Sequence, residues 1–101
     1  MTDVSVDLLE ELRAAVDALA PRLAGRAVDI EMPRVRVLVD PVEFRRDFTA
    51  LVESAIAGGE PTESIVVHVA RRGKVARIQV AGAADALTVP LPPGGSGAAD
   101  A

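Results

Sequence analysis

Two kinds of apolar spacing run through this chain, and together they leave few folds open. Leu8, Leu12, Val16, Leu19 and Leu23 recur at intervals of four, four, three and four, which lines one face of an α-helix. Phe44, Phe48, Leu51, Val52 and Ala55 form a second stripe of the same kind. Elsewhere the apolar residues alternate: along Val28-Asp29-Ile30-Glu31-Met32, at Val35, Val37 and Val39, along Ser64–Ala70 and Val75–Val80, and along Leu87-Thr88-Val89-Pro90-Leu91. Each helix has one apolar stripe and no second face to cover. The expected architecture is therefore α+β: a two-layer sandwich with two helices packed on one face of a largely antiparallel five-stranded sheet.

Local signals divide the elements. Ser5 or Asp7 can cap the first helix, Pro21 should kink it near Ala20 or split off its last turn, and Gly25 stops it. Asp40-Pro41 pairs a capping acid with proline at the first helical position, and Gly58-Gly59 ends the second helix. Residues 59–63 read as a loop, and Arg71-Arg72-Gly73-Lys74 as the tip of a hairpin. Pro90 suits an edge strand. The domain is expected to span residues 1–92, and the Gly, Ser and Ala of residues 93–101 to form a disordered tail.

Half of the residues are apolar, yet Phe44 and Phe48 are the only aromatics, so the core must be aliphatic. With no Cys and one His, the chain offers no disulfide framework and no cluster for zinc or copper, and we expect no cofactor. A net charge of −4 gives no general attraction to nucleic acid or anionic lipid. No apolar stretch approaches a membrane span, and the first residues lack a basic segment followed by an apolar run. The expected location is cytoplasmic, away from membranes.

Several polar residues invite a functional reading, each against a plainer one. His68 should project between Val67 and Val69 toward the opposite face, beside Arg77 or Gln79, as a solvated strand residue rather than a phosphoacceptor or general base. Arg71, Arg72 and Lys74 put three cations at a hairpin tip, able to meet phosphate or an acidic partner or to serve as a soluble turn. Arg45 and Arg46 are most simply the wet side of a helix, and more sharply a docking surface. Asp29 and Glu31 stand opposite Arg34 and Arg36 as candidate cross-strand pairs. Leu38 should point away from Val37 and Val39, where Val66 can join it in a small apolar patch suited to a partner or to self-association.

The element order, and above all Val37-Leu38-Val39-Asp40-Pro41-Val42-Glu43-Phe44-Arg45-Arg46, resembles the ATP-binding domain of histidine kinases, within the superfamily that includes gyrase and heat-shock chaperones. The likeness runs from about Val6 to Leu91. Where that family continues Asn-Leu-Leu-x-Asn-Ala, this chain has Ala50-Leu51-Val52-Glu53-Ser54-Ala55. The resemblance thus implies that Ser54 stands where an asparagine would hold Mg²⁺, and Ala57 where a cation would lie near the phosphates. A lone hydroxyl is a poor substitute for an amide oxygen at an octahedral ion. The family's adenine-binding acid opens an Asp-x-Gly-x-Gly turn after the second hairpin strand. Here that turn reads Ala81-Gly82-Ala83-Ala84-Asp85, with the acid displaced. Only residues 83–86 precede the last strand, where the family inserts a lid and a further helix.

Packing positions therefore resemble the family while polar site positions are Ala, Ser or Gly. The expectation is a degenerate scaffold without catalysis, acting as a protein-binding or regulatory module in bacterial two-component signalling. Ser54, Ala57 and Gly82 would be its vestigial nucleotide positions, and Leu38, Arg45, Arg46, Arg71, Arg72 and Lys74 its candidate interaction surface. A divergent ATP-binding protein or split kinase subunit, and a structural oligomerisation domain, are the alternatives.

Overall fold

A computed structural model describes residues 3–23, 25–58 and 64–92 of the chain. The expected loop at 59–63 and tail at 93–101 lie outside the described residues. The elements are β1 (Val4–Asp7), α1 (Leu8–Ala18), α2 (Ala20–Leu23), β2 (Val28–Glu31), β3 (Arg36–Val39), α3 (Pro41–Gly58), β4 (Ile65–Arg72), β5 (Val75–Val80) and β6 (Ala86–Pro90). The class is α+β, as the two periods require. The single five-stranded sheet with two helices is corrected, among the described residues, to three helices and two backbone ladders, β1-β3 and β2-β4-β5-β6.

The helices begin where carboxylates can accept orphan amides. Asp7 Oδ1 accepts from the Leu9 amide at 3.0 Å and from that of Glu10 at 3.4 Å, and Asp40 Oδ1 accepts from Val42 and Glu43 at the same two distances. Pro21 has no N–H to offer the Asp17 carbonyl, so the ladder of α1 breaks there. The Leu19 amide turns back to the Ala15 and Val16 carbonyls, at 3.1 and 3.0 Å, and α2 restarts at Ala20.

The pairing differs from the order of the strands in the chain. Val28–Glu31 and Arg36–Val39 are neighbours in sequence, yet they do not pair. β2 runs parallel to β4, with Val28 beside Ile65 and Glu31 beside His68. β3 pairs antiparallel with β1, with Val37 beside Val6. The short run Val4-Ser5-Val6-Asp7, read in the sequence as a lead-in to the first helix, is a strand because β3 gives it a partner. The supposed cross-strand pairs of Asp29 and Glu31 with Arg34 and Arg36 are consequently not formed. Arg36 instead donates from Nε to the Ser5 hydroxyl at 3.0 Å and from Nη2 to the Ser5 carbonyl at 2.9 Å, and Arg34 lies 4.0 Å from Asp7. β4, β5 and β6 form a regular antiparallel meander, with Val69, Ile78 and Leu87 in one row.

One apolar cluster joins all of this. Leu8, Leu12 and Ala15 of α1, Phe48 and Val52 of α3, Val37 of β3, Val67 and Val69 of β4, and Ala76 and Ile78 of β5 are buried. Phe44 and Phe48 stack nearly parallel, with ring centroids 6.2 Å apart. No polar or charged residue is buried among the described residues. Among the described residues β3 lies beside β6 with no backbone ladder between them, and the apolar cluster spans both sheets.

Two outcomes follow from this arrangement. Replacing the fully buried Phe48 by Ala should cost about 3–5 kcal/mol, read as a shift of the urea midpoint. Arg36→Ala should leave global stability within about 1 kcal/mol while speeding amide exchange in β1, because it removes two exposed hydrogen bonds that tie that strand down.

Candidate functional site

The residues singled out in the sequence fall in separate places. Ser54 and Ala57 are exposed near the C-terminal end of α3, and Gly82 forms the turn that follows β5. Gly82 has φ +92°, a left-handed conformation that a residue with a side chain adopts only under strain. Its backbone faces α3 closely. A Cβ added to Gly82 would stand 3.5 Å from the Ala55 carbonyl oxygen and 3.8 Å from its Cα, and one added to Gly58 would stand 3.4 Å from the Gly82 carbonyl oxygen. The turn and the helix are thus one methyl group short of contact. A flat aromatic ring between them would need about 7 Å, twice the roughly 3.5 Å separation of touching carbon atoms.

Asp85 and Gly82 both border a hollow of about 390 Å³ whose lining also includes His68, Arg77 and Gln79. Because Val67, Val69, Ile78 and Val80 point into the core, the alternation of β4 and β5 sends His68, Arg77 and Gln79 to the other side of the sheet. His68 does lie opposite Gln79, as its strand position implies, and parallel pairing adds a neighbour the sequence did not reveal: Glu31 Oε1, 3.8 Å from His68 Nδ1. Among the described residues there is no group of His, Cys, Asp and Glu able to hold a metal ion.

The candidate interaction residues are likewise dispersed. β4 continues through Arg72, so the turn itself consists of Gly73, with φ +63°, and Lys74. Arg71 and Arg72, being consecutive in a strand, project to opposite faces. Arg46 is exposed, whereas Arg45 Nε lies 3.6 Å from Glu11 Oε1, an oxygen shielded from solvent that has no hydrogen-bond partner. Arg22 and Glu53 form a further ion pair between α2 and α3. Leu38 is half-buried and borders a hollow of about 170 Å³ with Leu87 and Pro90, while Val66 borders the larger hollow around His68. Strands β5 and β6 separate the two, so Leu38 and Val66 do not share one hollow.

No family model matches this chain, and no curated protein matches it. The resemblance to histidine-kinase ATPase domains rests on the order of elements read from the sequence and on the residues quoted for it.

The backbone geometry at Gly82 has a measurable consequence. Gly82→Ala should destabilise the chain by about 1–2 kcal/mol through its positive φ, and Gly73→Ala by a similar amount, because at both positions an added Cβ meets no atom closer than ordinary van der Waals distance. A much larger loss at Gly82 in a denaturant titration would mean that the turn and α3 are packed more tightly than these distances allow.

Proposed function

We propose that this chain is a non-catalytic protein-binding or regulatory module on a scaffold akin to histidine-kinase ATPase domains, working in bacterial signalling from the cytoplasm. The observation that carries the reading is the composition and width of the space beside Gly82. Its nearest neighbours on α3 are Ala55 and Gly58, the gap is too narrow for a purine, and the hollow that Asp85 and Gly82 both border opens on the face of the sheet that carries His68, Arg77 and Gln79. Ala55, Gly58 and Gly82 offer that space backbone carbonyls but no side-chain carboxylate for an adenine amino group and no carboxamide for Mg²⁺.

In this reading the two ladders act as one mixed layer beneath α1 and α3. The adjacency of β3 and β6, and the contact between the two helices, support it. A protein partner suits the exposed cations Arg46, Arg72 and Lys74 better than a nucleic acid does, since no aromatic stands beside them to stack on a base and the chain is acidic overall. No helix among the described residues is long and apolar enough to cross a membrane.

Titration calorimetry with Mg·ATP tests the reading. The isolated chain should give no saturable heat up to millimolar nucleotide, and a micromolar dissociation constant would make it an ATP-binding protein instead.

A further inference from the structure

Among the described residues, strand β2 ends the four-stranded ladder and has a partner on one side only, β4. The Ile65 amide donates to the Ala27 carbonyl at 2.8 Å, so the backbone groups of Ala27, Asp29 and Glu31 turn toward β4. By alternation, the N–H and C=O groups of Val28 and Ile30 point outward from the sheet. An unpaired strand edge is a template for another strand.

The surroundings of this edge differ on its two faces. On the helix side, the half-buried Val28, Ile30 and Met32 meet Leu9 and Val16 of α1 around a groove of about 390 Å³, with Arg13 and Asp17 also bordering it. α1 therefore covers the inner face of β2 only in part. On the outer face, Asp29 and Glu31 are exposed and acidic, in a chain whose net charge is −4.

We infer that the β2 edge is a docking site for an extended segment of a partner protein in which aliphatic and basic residues alternate. Added beside β2, such a segment would pair its backbone with Val28 and Ile30. Its aliphatic side chains would enter the groove against α1, and its Lys or Arg side chains would stand beside Asp29 and Glu31. A second copy of this chain is the wrong occupant. Two-fold antiparallel pairing of β2 with itself brings Asp29 and Glu31 against the same two acids, and like charges facing one another across strands are destabilising. The inference rests on the reading of the chain as a protein-binding module and names a surface and a partner chemistry for it.

The test uses the full chain and a capped peptide of about eight residues alternating Val and Lys, the length of an ordinary strand. Amide exchange followed by NMR should show the Val28 and Ile30 amides gaining at least about tenfold protection at saturating peptide. The same peptide with Glu in place of Lys should bind at least about fivefold more weakly, and N-methylation of alternate peptide amides should abolish binding. The double variant Asp29→Lys, Glu31→Lys should reverse the preference between the Lys and Glu peptides. Equal binding of both peptides, protection confined to other strands, a helical bound peptide, or a peptide-free dimer joined through β2 would each overturn the assignment. The nucleotide titration reads the space beside Gly82 and the exchange experiment reads β2, so the two readings fail separately.

Discussion

The whole structure depends on apolar side chains of α1 and α3 being buried against two backbone ladders that, among the described residues, do not bond to each other. β1-β3 and β2-β4-β5-β6 each satisfy their own amides, and what holds them in one body is the cluster that runs from Leu8 and Leu12 through Phe48 and Val52 to Val37, Val67 and Ile78. Burial of this kind is strong but undirected. It needs volume and patterning, and it leaves no polar residue in the interior among the described residues. Chemistry on this chain is accordingly a matter of its surfaces.

Those surfaces are unequal. The turn at Gly82 meets α3 through Ala and Gly backbone, a narrow approach with few hydrogen-bonding side chains. The opposite face of the meander carries His68, Gln79 and Arg77, with Glu31 brought in from β2 by parallel pairing. The edges differ again. β6 closes its ladder with Pro90, which has no amide to offer a newcomer, whereas β2 presents two acids and a groove. A protein stripped of interior polarity can still be selective, because edge pairing supplies direction through the backbone and charge supplies discrimination.

Much of this was legible in the residues. The period of Phe44, Phe48, Leu51 and Val52 gave α3 its buried face, and Asp40-Pro41 gave it its start. The alternation of Ile65, Val67 and Val69 gave β4 its core side, and the break forced by Pro21 lies within one residue of Ala20. These features are set by neighbours a few positions apart, so a linear reading can see them. β1 was not legible: four residues with two valines carry too weak a pattern, and they become a strand only because β3 lies alongside. The pairing of β2 was also hidden, since a short gap between two alternating runs looks like a hairpin until β4 arrives from beyond α3.

The sequence by itself determined which residues are apolar on which side of each element, where the helices start and break, and which polar types are available to any site. Tertiary structure alone decided which strands are neighbours, and with that everything depending on proximity across the chain: Glu31 beside His68, Arg36 on Ser5, Gly82 against Ala55, and an acidic edge left open at β2. The physical reason is that helical period, alternation and capping are local properties of the backbone. Strand adjacency, in contrast, is a choice among arrangements that bury nearly the same aliphatic surface, made by the packing of the whole core.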